Sequence, residues 1–351
     1  MTDLTEAETA ACQASVNGSI PVGEITTIRG SDVRMRVPGF VDHDEKILKR
    51  SLNAGVGAAG LGKTLYALNA CADITAGRMP GLDGPASVLI SSQEDDPEAV
   101  LAPRLVAAGA DMELVHFVTG LSLPSQVEAL AARARTLGAA LVVIDPVASH
   151  LDPSIDSHRD AATRAALAPL SEMATELDLA VLVIAHLNKS TGAQGLNRIS
   201  GSGAFGNAAR SVIVFGADPT DPEGETGDQR IIAHLKCNVA KRSPSIAATI
   251  ETTTVQTEDG PATVPYLEFT GTSTQSADDV LTAPTGEERT EREEARTFLA
   301  DLLAGGLVPT KEVKAAAREA EIAWRTVERA KTDLDVRAVQ HDRRWYLEAS
   351  K

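Results

Sequence analysis

The eight residues Gly57-Ala58-Ala59-Gly60-Leu61-Gly62-Lys63-Thr64 constrain this chain more than any other stretch of it. They read as Gly, four residues, then Gly-Lys-Thr, with the apolar run Leu48–Ala54 before them and a helical stretch opening near Lys63 after them. Strand, glycine loop and helix in that order turn successive backbone N–H groups into one concavity and aim a helix N-terminus at it. Such a cradle takes the phosphates of a nucleoside triphosphate. Lys63 would reach the β- and γ-phosphates, and the Thr64 hydroxyl would ligate Mg²⁺.

The surrounding text carries the pattern of a parallel sheet covered by helices. Strands are expected at Leu48–Ala54, Ser87–Ser91, Leu114–Val118, Leu141–Asp145, Val181–His186 and Ser211–Phe215, with helices opening near Lys63, Pro97, Ser125, Arg159 and Gly203. Beyond Arg230 the runs Ile231–Val239, Ile246–Thr254 and Tyr266–Phe269 read as antiparallel hairpins closing one end of the sheet. Residues 1–25 are polar and without period, and read as a disordered tail. Residues 26–270 form the expected α/β domain, with a mostly parallel central sheet flanked by helices. Residues 271–294, rich in Thr, Ser, Asp and Glu, read as a linker, and 295–351 as a small second domain.

The net charge of −16 argues against a surface that coats nucleic acid everywhere, while leaving room for a few placed cations. Cys12, Cys71 and Cys237 show neither metal-ligand spacing nor a disulfide framework, which fits a reducing cytoplasm. No apolar run reaches the length of a membrane span.

Two further acids belong with the cradle. Leu141-Val142-Val143-Ile144-Asp145 is a buried-strand run ending in a carboxylate, and an acid at the C-terminal edge of a parallel sheet faces the ligand crevice. Asp145 therefore reads as the partner of Thr64 at Mg²⁺. In Ser91-Ser92-Gln93-Glu94-Asp95-Asp96-Pro97, Glu94 reads as the base that activates water. Asp95 and Asp96 read as caps for the helix opening at Pro97.

Taken in order, these motifs resemble the RecA-like ATPases, and most closely the RepA-type hexameric helicase group. The resemblance spans about Val41 to Phe269. It rests on Gly57–Thr64; on Ser92–Pro97 followed by Pro103-Arg104-Leu105 and Ala107-Ala108-Gly109-Ala110-Asp111; on Ile144-Asp145-Pro146; and on His186-Leu187-Asn188-Lys189 with Ser200-Gly201-Ser202-Gly203. It implies a homo-oligomeric ring, a hexamer, that hydrolyses ATP with Mg²⁺ at subunit interfaces. His186 would sense the γ-phosphate, and an arginine finger would come from the neighbour. Arg210 is the first choice for that finger, with Lys236 and Arg242 behind it; Asn238 stands where related helicases carry an Arg.

The resemblance also implies two loops, 147–160 and 190–205, that track single-stranded DNA. The second holds Arg198 amid Gly and Ser, with Phe205 the one aromatic in either loop. The C-terminal segment predicts helices at Glu294–Leu303, Lys311–Ala320 (capped by Thr310) and Trp324–Leu334, then a two-stranded wing from Val336 to Leu347. That succession resembles a winged helix–turn–helix domain, with Arg325, Arg329 and Lys331 exposed for duplex DNA or for a protein partner. The function expected is a RepA-like DNA helicase of phage, plasmid or mobile-element replication. The alternatives are an ATP-switched DNA-binding regulator or a RecA-like repair or recombination ATPase.

Overall fold

A computed structural model describes residues 27–156, 159–186, 204–221, 223–282, 286–341 and 344–348, without the side chains of 204, 225 and 286–290. The expected tail 1–25 lies outside the described residues. The chain divides into two units, 1–216 with 229–281, and 217–228 with 282–351.

The first unit is built on a nine-stranded sheet in the order β3-β2-β4-β5-β1-β6-β7-β8-β9. Its strands are β1 (Ser51–Gly57), β2 (Ser87–Ser92), β3 (Val115–Phe117), β4 (Ala139–Asp145), β5 (Ala180–His186), β6 (Ser211–Ala217), β7 (Gln229–Cys237), β8 (Ser245–Thr257) and β9 (Gly260–Ser273). β3 through β6 pair in parallel along that order, whereas β7, β8 and β9 pair antiparallel. Every residue of β4 and of β6 is buried, as strands covered on both faces must be.

The helices are α1 (Lys63–Thr75), α2 (Ala102–Ala107) after a helical turn at Pro97–Leu101, α3 (Val127–Leu137), α4 (Asp160–Glu176), α5 (Ala204–Ala208) and α6 (Ala277–Thr282). Val127, Leu130 and Ala134 of α3 and Leu167, Leu170 and Met173 of α4 join Leu52, Ala54, Val56, Val142 and Ile144 in one core. No helix among the described residues is long and apolar enough to cross a membrane.

β1 begins later than its apolar run suggests. Buried Asn53 accepts from Leu48 N at 2.8 Å and donates to Leu48 O at 2.9 Å and Val181 O at 3.1 Å. The side chain thus acts as the strand partner of Leu48, and Arg50 turns the chain at φ 57°. The strand then runs on to Gly57, and this extension carries the glycine loop to the sheet edge.

The linker expected at 271–294 is overturned. β9 continues to Ser273, α6 follows, and its Ala277, Val280 and Leu281 are buried in the core. The Ser276 hydroxyl accepts from Asp279 N at 3.2 Å while the Asp279 carboxylate accepts from Ser276 N at 2.8 Å. This reciprocal capping box starts a helix in a stretch whose composition reads as loop.

The second unit contains α7 (Gly286–Leu303), β10 (Val308–Pro309), α8 (Thr310–Glu319), α9 (Trp324–Asp333), β11 (Arg337–His341) and β12 (Arg344–Glu348). Its sheet order is β10-β12-β11, and its core is Ala295, Leu299, Leu303, Val313, Ala317, Val327, Ala330, Val336 and Leu347. α7 starts inside the expected linker. Thr310 is not a cap: Pro309 holds that position, and the buried Thr310 hydroxyl finds no partner among the described residues.

One buried polar network ties β6 and β7 to the segment before β1. The Ser211 hydroxyl donates to Lys46 O at 2.6 Å and so accepts from His234 Nε2 at 2.9 Å. His234 Nδ1 then accepts from Ser243 N at 3.2 Å. With both nitrogens satisfied in the neutral ring, burial and the nearby Lys46 push the His234 pKa down to about 4. Stability from this group is complete above the ordinary value of 6.5 and is lost as pH falls from there toward 4, by about 3 kcal/mol in full. Urea melts from pH 7.5 to 5 should show this slope in the wild type, and His234→Gln should lose it while melting earlier throughout. Equal slopes in the two proteins would contradict the assignment.

Candidate functional site

Strand register brings the expected site together. β1 and β5 pair Gly57 with His186, and β2 and β4 pair Ser92 with Asp145. The ends of all four strands therefore lie at the same edge of the sheet, the C-terminal edge where open α/β sheets bind ligands.

The glycines of the loop do different jobs. Gly60 and Gly62 sit at φ 77° and 83°, the left-handed region that shapes the concavity. Gly57 is needed for packing: a Cβ there would lie 2.6 Å from the Phe215 carbonyl oxygen on β6. Ala58, Ala59 and Leu61 complete the turn, with Leu61 buried.

Lys63 is 5% exposed, and its ammonium donates to the Ala58 carbonyl at 2.6 Å across the loop. Burial pushes its pKa down to about 8, against the opposing pull of Asp145 and Glu94. The Thr64 hydroxyl donates to Asp145 Oδ2 at 2.5 Å. Burial raises the Asp145 pKa, and the Thr64 hydrogen bond and Lys63 work against that rise. A hydroxyl and a carboxylate oxygen side by side are the hard oxygen donors Mg²⁺ prefers, so the residues present fit that ion.

Glu94 follows β2, and its carboxylate lies 3.5 Å from His186 Nε2 at the end of β5. Its neighbours separate as their chemistry dictates. Asp96 caps the turn at Pro97, accepting from Glu98 N at 2.9 Å and Ala99 N at 2.7 Å, whereas Asp95 is not a cap but pairs with Arg104 at 3.4 Å. Glu94 remains beside Lys63, Asp145 and His186.

The three candidate fingers lie elsewhere. Arg210 precedes β6, where its backbone N donates to Leu52 O at 2.8 Å, at the N-terminal end of the parallel strands. Its side chain is exposed and forms no ion pair among the described residues. Lys236 is already engaged: its ammonium donates to the carbonyls of Gly206, Asn207 and Ala209 at 3.0, 3.2 and 2.8 Å, closing the C-terminal end of α5. Arg242 reaches the Leu235 carbonyl at 3.5 Å.

The two expected loops are also revised. The first begins as a fixed turn, Val147–His150, with Val147 and His150 buried. Residues 157–158 of it, and 190–203 of the second, lie outside the described residues. Phe205 is fully buried in the core, so it offers no stacking surface. Sequence reading missed the Glu94–His186 contact and the Ser91–His150 hydrogen bond, because neither pair is close in the chain.

Gly57→Ala and Gly60→Ala separate packing from loop conformation. Gly57→Ala should abolish the thermal shift produced by ATP with Mg²⁺ and lower the melting temperature, since a backbone carbonyl stands in the way. Gly60→Ala has open space for the methyl group and should weaken the shift by about 1–2 kcal/mol of binding through backbone strain alone. Equal behaviour of the two variants would refute the distinction.

No curated protein matches the chain. Among solved structures, one ATPase domain aligns over 57% of this chain and 82% of its own, at 16% identity and a TM-score of 0.44. Residues 26–192 match the family model described as AAA domain. That span is similar to an AAA-type ATPase domain and holds Gly57–Thr64, Glu94, Asp145 and His186, while Arg210 and the second unit fall outside it.

Proposed function

We propose that this chain is an ATP-hydrolysing motor stimulated by nucleic acid: a RepA-like DNA helicase of phage, plasmid or mobile-element replication, working in the cytoplasm as a hexameric ring. The observation that carries the reading is the convergence of Lys63, Thr64, Asp145, Glu94 and His186 at one sheet edge, around a loop shaped for phosphate.

The backbone N–H groups of Gly57–Thr64 hold the phosphates, and the Lys63 ammonium exchanges the Ala58 carbonyl for phosphate oxygens. Thr64 and Asp145 would hold Mg²⁺, which supplies positive charge against the phosphate oxygens. Glu94 orients a water molecule and takes its proton as the water oxygen attacks the γ-phosphorus and the bridging oxygen to the β-phosphate leaves. His186 touches Glu94 on one side and opens the 187–205 segment on the other, which suits it to report the state of the γ-phosphate. Arg210 serves a neighbouring subunit's site, being far from its own cradle.

In this reading the loops within 147–160 and 190–205 track single-stranded DNA. The first unit, 1–216 with 229–281, is proposed as the motor and the second, 217–228 with 282–351, as a winged helix–turn–helix domain. Support for the latter is the order helix, strand, helix, helix, two-stranded hairpin and the exposed Arg325 and Arg329 on α9. That unit favours a second reading, an ATP-switched regulator with duplex DNA or a protein as its output.

Single-stranded DNA should raise the ATPase rate, and a forked duplex should unwind with ATP. Glu94→Gln should lower kcat by about 10²–10⁴-fold while ATP binding persists. An ATPase indifferent to single-stranded DNA would remove the motor reading and leave the regulator. Wild-type kcat in Glu94→Gln would remove Glu94 as the base.

A further inference from the structure

Two buried polar side chains with no role in the chemistry above meet beside the site. His150, 1% exposed, ends the turn after β4, and Ser91, 2% exposed, lies in β2 three residues before Glu94. His150 Nδ1 is 2.8 Å from the Pro146 carbonyl, and a carbonyl only accepts, so Nδ1 carries the ring proton. Burial holds the ring below the ordinary histidine range, and in the neutral ring Nε2 is an acceptor. The Ser91 hydroxyl lies 2.9 Å from that nitrogen and 3.1 Å from the Val118 carbonyl. It has one proton and two acceptors, so it can turn from one to the other without leaving the core.

The two acceptors belong to different segments. Val118 follows β3, whereas His150 belongs to the turn that opens the 147–160 stretch. The backbone beyond His150 is laced to Leu123, with Leu123 N donating to His150 O at 2.7 Å and Asp152 N to Leu123 O at 2.8 Å. Past Asp152 the chain emerges, with Pro153, Ser154 and Asp156 exposed. From Ser91, β2 runs through Ser92, paired with Asp145, to Glu94 against His186.

We propose that Ser91 and His150 form a positioning pair that transmits the state of the 153–156 stretch, exposed at Pro153, Ser154 and Asp156, to Glu94, so that a ligand held there changes the rate of hydrolysis without touching the phosphates. The pair rests on the nucleic-acid-stimulated ATPase reading and names the route of stimulation. A pull on the 153–156 stretch moves the turn, the Ser91 hydroxyl exchanges the His150 ring for the Val118 carbonyl, and the end of β2 moves with it. Ser91 touches no substrate; it acts through the backbone it shares with Glu94.

The full-length protein tests this in an ATPase assay with and without single-stranded oligothymidylate. Ser91→Ala should keep KM for ATP and the unstimulated rate within about twofold of wild type while stimulation drops by about fivefold or more, as loss of a coupling contact requires. Ser91→Thr, which keeps the hydroxyl, should restore stimulation. Full stimulation of Ser91→Ala overturns the proposal. So does an equal fall of stimulated and unstimulated rates that Ser91→Thr does not repair, since that marks a merely structural contact. If Ser91→Ala melts too early to assay, the comparison moves to His150. There His150→Gln, whose amide oxygen can accept from Ser91, must retain stimulation and His150→Phe must lose it; any other pattern overturns the pair. A wild-type protein that single-stranded DNA does not stimulate overturns both this inference and the motor reading. A stimulated wild type with a fully stimulated Ser91→Ala overturns the inference alone.

Discussion

Backbone hydrogen bonds hold β1 beside β5 with Gly57 opposite His186, and β2 beside β4 with Ser92 opposite Asp145. Everything at the site follows from that register. Slipping β4 by one residue would turn Asp145 to the other face of the sheet and take its carboxylate from Thr64, since side chains alternate with period two. Burial then holds the aligned strands in place: β4, β5 and β6 are apolar and buried along nearly their whole length, as strands covered on both faces must be. The fully buried core is thus the device that aims two carboxylates, a lysine and a histidine at one point.

The polar groups at that point are poorly served by the protein alone. Lys63 is buried, and its acceptor is a loop carbonyl, a neutral partner for a full charge. Asp145 is buried too, with a neutral hydroxyl as its closest contact. A buried charge without an adequate counter-charge is costly, and it shifts its pKa toward the neutral form. Both groups show that shift, Lys63 downward and Asp145 upward. A polyphosphate with a divalent cation would supply what each lacks, the anion for Lys63 and the cation for Asp145. In the proposed function the site is built around charges that arrive with the ligand.

Local pattern made much of this legible. The glycine loop, the apolar strands and the terminal carboxylate of β4 are signals carried within a few residues, and the structure places them nearly where spacing predicts. What escaped lay in contacts between distant residues. Asn53 reaches back to Leu48 and delays β1 by a turn of chain; no propensity announces an amide acting as a strand partner. α6 was hidden in a polar stretch because composition outweighed the Ser276–Asp279 capping box. Phe205 read as a surface aromatic because the glycines and serines before it suggest an open loop, yet the core of α5 and β6 claims it. Lys236 read as a free cation because the three carbonyls it closes belong to a helix thirty residues earlier, a separation of about 30 positions that spacing rules of three and four cannot span.

The cations frame the remaining question of how one site is completed. Asn53 and Ser211 are register partners in β1 and β6, so Arg210 stands at the start of these strands and Gly57 at the end of β1. Four residue steps along the strand lead from Asn53 to Gly57, roughly 13 Å at the usual rise, before the loop itself is reached. An arginine side chain anchored at the far edge of the sheet does not bridge that distance and then turn into the cradle of its own chain. Lys236, the nearest alternative, is held by three carbonyls that would be left without a donor if it moved away. The ring proposed above would fit this geometry, because a heterologous, head-to-tail interface sets unlike faces of neighbouring copies against each other. In the proposed ring, a cation useless to its own site becomes useful to the next. Lys236 then keeps Arg210 in place by fixing the end of α5 and the chain that leads into β6.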